Sequence, residues 1–135
     1  AMNEFNLPIQ SEWIWEGDFT REGGLRAVKK HLQEHDHVQV TAIFASNDLM
    51  AIGAIQALKE AGYRIPHDIS VIGFDGIEVG KYLSPPLTTV QQPIYRLGQK
   101  VSQVLVEQIE NGGEAIQIEL PVQVVNVTNT IGQPR

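Results

Sequence analysis

Apolar residues recur along this chain at helical and at strand-like spacings, in turn. From Thr20 onward, Leu25, Val28 and Leu32 fall three and four apart on one helical face, with Thr20 placed to cap it and Glu22 in its first turn. This predicts a helix running to about His35. Before it, residues 12–16 are short, aromatic and β-branched and end at Gly17-Asp18, a turn signal, which predicts a strand. After it, residues 40–45 form a compact apolar run too short for a helix standing alone, and the run ends at Ser46-Asn47-Asp48, three good N-caps. Leu49, Ile52, Ile55 and Leu58 mark a second helical stripe, closed by Gly62, the residue best suited to a left-handed C-terminal position.

Residues 69–74 form a third apolar strand, entered through Pro66-His67-Asp68 and left at Asp75-Gly76. Strands apolar on both faces and separated by amphipathic helices predict an α/β fold, a parallel sheet covered on both sides. Beyond Asp75, Pro85-Pro86 breaks any helix, Thr88-Thr89-Val90 is a brief extended piece, and Pro93 stands where a helix's first turn accepts proline. Ile94, Leu97, Val101, Val104, Leu105 and Ile109 then predict a long helix over 94–110, ended by Asn111-Gly112-Gly113. Two strand-like stretches, 116–120 and 122–127, precede a polar tail, and no internal repeat is visible.

In an open parallel sheet, ligands bind beyond the carboxyl ends of the strands, where loops and helix N-termini present donors together. Three such ends carry polar or aromatic groups here: Asp18-Phe19, Asn47-Asp48 and Asp75. A carboxylate accepts from two hydroxyls, an amide both donates and accepts, and an aromatic ring covers the apolar face of a sugar or base. That set, Asp18, Phe19, Asn47, Asp48 and Asp75, suits a polyhydroxylated or heterocyclic small molecule. Each also has an ordinary role open to it: Asn47 and Asp48 as helix caps, Asp75-Gly76 as a turn, Phe19 as core.

Length and composition narrow the picture. The 135 residues are one domain's worth of chain, and 10 Lys+Arg against 16 Asp+Glu give a net charge of −6 with no basic run to neutralise a row of phosphates. The chain alone is not expected to bind DNA. Zero cysteines exclude disulfides, thiolate metal sites and cysteine nucleophiles, and fit a reducing compartment. No apolar run approaches the roughly 18 residues needed to span a bilayer, and no signal-peptide pattern opens the chain, so no membrane partner is expected. Ala1 before Met2 reads as a residue added ahead of an artificial start inside a longer protein.

Catalytic signatures are sparse. His31-Leu32-Gln33-Glu34-His35 matches the H-x-x-E-H pattern of inverted zinc peptidases, but it sits at a polar helix end followed by Asp36-His37, where histidines are expected to be solvated or to face the helix dipole. No third ligand is recognisable, so no metal and no cofactor are expected. Asp48 and Asp75 are a conceivable acid/base pair, yet no nucleophile, Walker loop or dinucleotide fingerprint accompanies them. Binding rather than catalysis is the expectation.

Residues 45–58 (ASNDLMAIGAIQAL), 62–75 (GYRIPHDISVIGFD) and 85–93 (PPLTTVQQP) closely resemble the effector-binding region of the LacI/GalR family of bacterial transcriptional regulators, in the family's order and spacing. The likeness runs from about Trp15-Glu16-Gly17-Asp18-Phe19 to the final strands. Periplasmic sugar-binding proteins share this fold but match less well over 64–70 and 85–93. The resemblance implies a periplasmic-binding-protein-like subdomain in which Phe19 stacks on an effector, Asn47 hydrogen-bonds it and Asp75 accepts from its hydroxyl or amine groups. It places a homodimer surface on Ile52 and Ile55 and on Tyr82 and Leu83. The implied effector is a sugar, a sugar derivative or a purine-like molecule, and the implied location is the cytoplasm.

The same resemblance implies missing parts. The family's basic helix-turn-helix headpiece, through which the full protein meets DNA, and the first effector subdomain with its clamping arginine have no counterpart in these residues. The chain is thus expected to be a C-terminal fragment: 1–90 the second effector subdomain, 91–115 a crossover helix that packs on the absent subdomain, and 116–130 returning strands. Exposing about five large apolar side chains of that helix would forgo on the order of 10 kcal/mol. Cover by a partner chain, a swapped oligomer or a non-native packing is therefore expected. The alternatives are a periplasmic sugar receptor and, from another class, a small sugar-acting enzyme using Asp48 and Asp75.

Overall fold

Both of the first two helices start from side chains supplied just ahead of them. Thr20 Oγ1 accepts the Gly23 N–H at 3.0 Å, and Asp18 Oδ1 accepts from the Thr20 N–H at 3.1 Å and its hydroxyl at 2.5 Å, so α1 (Arg21–Glu34) grows from an ordered turn. Asn47 Oδ1 accepts the Met50 N–H at 2.8 Å and opens α2 (Asp48–Glu60). Gly62, at φ +87°, closes α2, because only a residue tolerant of that backbone lets the N–H groups of Gly62 and Tyr63 return to the carbonyls of Lys59 and Leu58, each at 3.0 Å. The computed structural model describes residues 2–112 and 116–132.

Four strands form one sheet in the order β1 (Ala42–Phe44), β2 (Ser70–Asp75), β3 (Thr88–Gln91) and β4 (Gln123–Val125). β1, β2 and β3 run parallel, and β4 returns antiparallel on β3. α2 packs on β2, and α1 packs on α2. Their shared core contains Val28, Ile52, Ile55, Leu58, Ile69, Val71 and Leu87. The two helices meet backbone to backbone: a Cβ on Gly24 would lie 2.1 Å from the Met50 carbonyl oxygen, and one on Gly53 would lie 1.9 Å from that of Arg21. α3 (Ile94–Asn111) follows β3.

Several expectations are corrected. Residues 12–16 form no strand: Ser11–Trp13 is a single tight turn, and the segment beyond it lies across an apolar groove of about 290 Å³ from β1 rather than pairing with it. Residues 116–120 likewise pair with no strand, because they lie beside α3, away from the sheet. The sheet is not covered on both sides. Val71 and Gly73 are buried, but Ile72 and Phe74, on the alternate face, are half-buried, and Phe44, paired with Ile72, is 62% exposed. The polar stretch after β4 is anchored at Thr130. Thr130 is fully buried, its hydroxyl donating to the Val71 carbonyl at 2.6 Å and accepting the Thr88 N–H at 2.8 Å.

No residue of α3 is buried, and Leu97, Val101, Leu105 and Ile109 stay exposed along it. Leu97, Val101, Val104 and Leu105, with Ile116, Ile118 and Leu120, line an open apolar groove of about 320 Å³. The described residues therefore leave this stripe uncovered. His31 also departs from expectation. It is buried, not solvated, stacked on Trp15 at 4.4 Å and beside His35 at 4.5 Å, and its Nε2 has no hydrogen-bond partner. The reason is its position on the α1 face that Trp15 covers. Among the described residues no cluster of three or more acidic or histidine side chains is arranged to hold a metal ion.

Two outcomes follow from this packing. Gly53→Ala forces a methyl against the Arg21 carbonyl and is expected to destabilise the chain by about 1–3 kcal/mol or more, measured by urea unfolding; a neutral result would mean that α1 and α2 are not in backbone contact. Burial pushes His31 below its ordinary 6.5, with His35 adding to the effect, so the folded chain takes up this proton later than the unfolded chain as pH falls. The contribution is intact above pH 6.5 and is lost as pH drops below it. Thermal unfolding should show Tm falling across that range in the parent chain and a flatter profile in His31→Phe, with His35→Gln as the control.

Candidate functional site

The carboxyl ends of β1 and β2 and the start of α1 carry the three candidate residues. Asn47 divides its amide between two tasks: Oδ1 caps α2, and Nδ2 donates to the Phe19 carbonyl at 2.9 Å. That bond joins the start of α1 to the start of α2 and holds Phe19 at φ +61°, a backbone state rare for a bulky residue. The Phe19 ring is left 67% exposed, so it is not the core residue that its apolar character also allowed. Phe19 and Asn47 are thus brought together by a direct hydrogen bond.

Asp75 ends β2 at φ +114°, a conformation that costs an aspartate about 1–3 kcal/mol and persists only where the surroundings impose it. The surroundings are Gln92 on one side and Asp48 on the other. Gln92 Nε2 donates to Asp75 Oδ1 at 2.7 Å, and the Gln92 N–H donates to the Asp75 carbonyl at 3.1 Å. Asp75 Oδ2 receives no hydrogen bond from the described residues. Asp75 opens onto a recess of about 550 Å³ whose polar lining includes Glu78, Gln91, Gln92 and Arg96. Phe19 and Asn47 do not line this recess.

Asp48 lies beneath the surface, 0% exposed, and its carboxylate is fully engaged. Oδ2 accepts the N–H groups of Gly76 and Ile77 at 2.9 and 2.8 Å, and Oδ1 accepts the Thr89 hydroxyl at 2.5 Å. Burial pushes its pKa above the usual carboxylate value of 3.8, these hydrogen bonds pull it back, and the neighbouring Asp75 charge raises it further. Buried among its donors, Asp48 has no face to offer a substrate, so the acid/base pairing with Asp75 is not what this geometry builds. The strand-end rule applied to β1 and β2 reaches Asn47 and Asp75. Applied to β3 as well, it also reaches Gln92, which the sequence reading left out.

The proposed dimer residues separate into two groups. Ile52 and Ile55 are buried inside the chain, against β2 and neighbouring loops, and cannot form a surface; the stripe they mark is core. Leu83 is half-buried against the same core, while Tyr82 is 78% exposed at the end of the turn Glu78–Tyr82.

Parallel strands with helices packed on them, an exposed aromatic ring held at a helix start and a strained carboxylate at a strand end are the features of an α/β domain with a candidate site at its sheet edge. Comparison with known proteins agrees. The profile of the periplasmic-binding-protein-like domain matches residues 1–127. The HTH-type transcriptional repressor PurR of Photorhabdus laumondii is 42% identical over 135 residues, covering 99% of this chain and 39% of that repressor. PurR of Aliivibrio fischeri is 46% identical over 106 residues, 78% of this chain and 32% of its own length. Among solved structures, the transcriptional regulator CelR–cellobiose complex superposes with a TM-score of 0.88 at 29% identity, over 96% of this chain and 39% of that one. A LacI family regulator from Enterococcus faecium with bound ribose gives 0.82 at 31% identity, over 99% and 49%.

The chain belongs to the periplasmic-binding-protein-like domain family, in the form used as the effector-binding domain of LacI/GalR regulators. It spans about a third to two-fifths of the length of the curated relatives it matches.

Separating the two tasks of Asn47 tests this geometry. Asn47→Ala should cost about 0.5–2 kcal/mol through the lost cap. Asn47→Asp keeps the cap but removes the donor to Phe19, so it should retain most of that stability while releasing Phe19. Urea unfolding, together with the NMR line widths of the Phe19 backbone and ring, reads both. Equal losses in the two variants would show that Nδ2 holds nothing.

Proposed function

We propose that this chain is the second effector-binding subdomain of a DNA-binding transcriptional regulator, and that Phe19, Asn47 and Asp75 contact a small effector there. The observation that carries this reading is the pairing of an exposed aromatic ring and a partly unsatisfied carboxylate, both on strained backbone at the same sheet edge. Strain of this kind collects where a structure is organised for binding. A planar ring and an acceptor oxygen suit a sugar or a purine-like molecule. The ribose and cellobiose bound by structural neighbours favour the sugar, and the PurR repressors keep the purine in view.

The rest of the regulator supplies the other wall of the cleft, a cover for the open stripe of α3, and the basic headpiece that meets DNA in the cytoplasm. Residues 1–90 form the second effector subdomain, and the 91–115 segment that carries α3 packs on the first subdomain before the chain returns over 116–130, where β4 lies. Tyr82 belongs to the homodimer surface. Effector binding shifts the regulator between two arrangements and so changes operator affinity by linkage.

Calorimetric titration of the full-length regulator with ribose, cellobiose and hypoxanthine tests the site. One of these probes should bind the parent protein, and Asp75→Ala should weaken that binding by at least about tenfold, the loss expected for a charge-assisted hydrogen bond, with Tm and operator binding retained. Undiminished affinity in Asp75→Ala would remove Asp75 from the site.

A further inference from the structure

Asp48 is one residue past Asn47 and touches no surface, yet its hydrogen bonds converge on the segment that carries Asp75. The two N–H groups immediately after Asp75, those of Gly76 and Ile77, both point at one of its oxygens. Asp75 and Gly76 have consecutive positive φ values, +114° and +78°, and across this turn the two amides face the same carboxylate oxygen. The sheet keeps room for this carboxylate: a Cβ on Gly73 would lie 2.2 Å from Asp48 Oδ1, and Gly73 pairs in register with Thr89, whose hydroxyl donates to that same oxygen. Asp48 forms no ion pair among the described residues, so these three donors alone compensate a fully buried charge.

We infer that Asp48 is a positioning residue: it holds the Gly76–Ile77 amides and thereby fixes the strained Asp75 carboxylate at the sheet edge, in register with the Asn47 amide that pins Phe19. Asp48 never meets the effector. It sets the geometry in which Asp75 does, an inference that rests on the reading of Asp75 as an effector contact. Thr89 completes the arrangement by holding the other oxygen, so that both lone-pair sets of Asp48 are directed.

Three variants test it: Asp48→Asn, Thr89→Val, which removes only the hydroxyl donor, and Thr89→Ser, which restores it. The first arm uses the 135-residue chain without effector. Amide hydrogen exchange at Gly76 and Ile77 should accelerate by roughly tenfold in Asp48→Asn and Thr89→Val beyond any change in global stability, and the Asp75 carboxyl carbon resonance should move. Thr89→Ser should behave like the parent. The second arm uses the full-length regulator and whichever of ribose, cellobiose or hypoxanthine binds the parent. Affinity should fall by about tenfold in Asp48→Asn and Thr89→Val and recover in Thr89→Ser, whereas a merely structural Asp48 would lower Tm and leave affinity alone.

Unchanged Gly76 and Ile77 protection in both Asp48→Asn and Thr89→Val overturns the inference. Should Asp48→Asn fail to fold, the Thr89→Val and Thr89→Ser pair decides in its place. If Asp75→Ala binds normally while the amides respond as expected, the effector reading has failed and the positioning of the turn by Asp48 stands.

Discussion

The contact on which the candidate site depends is the backbone-to-backbone approach of α1 and α2. Gly24 lies against the Met50 carbonyl and Gly53 against that of Arg21, at separations no side chain would permit. Because the helices lie this close, their N-termini start side by side, and Asn47 can reach from the first residue ahead of α2 to the Phe19 carbonyl just ahead of α1. The two caps therefore work as one unit. Asp18 orders Thr20, Thr20 caps α1, Asn47 caps α2, and the same Asn47 fixes Phe19. Widening the helix contact would lengthen the Asn47–Phe19 bond beyond use before it exposed much core.

Strain and burial are balanced on the other side of the sheet edge. Asp75 at φ +114° and a fully buried, unpaired Asp48 would each be unfavourable alone. Together they offset one another: the turn that strains Asp75 is the turn that aims two amides at Asp48, and the charge that Asp48 buries is what rewards that turn. Removing either leaves the other without its reason. This explains why β2 runs without interruption to a residue in so unfavourable a conformation and why Gly76 follows it, since a Cβ there would also press on Gln91.

The elements legible in the sequence were those fixed by local chemistry. α1 and α2 begin where the caps Thr20 and Asn47 place them, Gly62 closes α2, and β2 and β3 each end one residue past the stretches 69–74 and 88–90 that mark them. The strand expected over 12–16 fails because a strand is a property of two segments, and periodicity in one does not reveal whether its partner is beside it. The stretch 116–120 fails for the same reason. Ile52 and Ile55 show a related blind spot: a helical stripe identifies a face that must be covered, but whether a strand of the same chain or a second molecule covers it is a tertiary fact. Asn47 and Asp75 were legible as strand ends, whereas Phe19 was reached by the same rule through a strand over 12–16 that does not form. Their mutual support was not legible, because a buried carboxylate such as Asp48 looks in sequence like any other N-terminal cap.

The site is also joined to the one helix that the chain leaves uncovered. Gln92 clasps Asp75 through both its side chain and its main chain, and α3 begins two residues later at Ile94, with the Ile94 N–H returning to the Gln92 carbonyl at 2.9 Å. A ligand that drew the Asp75 carboxylate toward itself would pull on the Gln92 bond to Oδ1, and Gln92 cannot shift without moving the first turn of α3. The apolar stripe of α3 begins at that turn, exposed among the described residues, so Leu97, Val101 and Leu105 stand on a helix whose base adjoins the candidate site. Coupling between two sites needs an element whose placement both of them influence. The link from Asp75 through Gln92 to Ile94 has the placement such an element requires, since it touches both the candidate site and the first turn of α3.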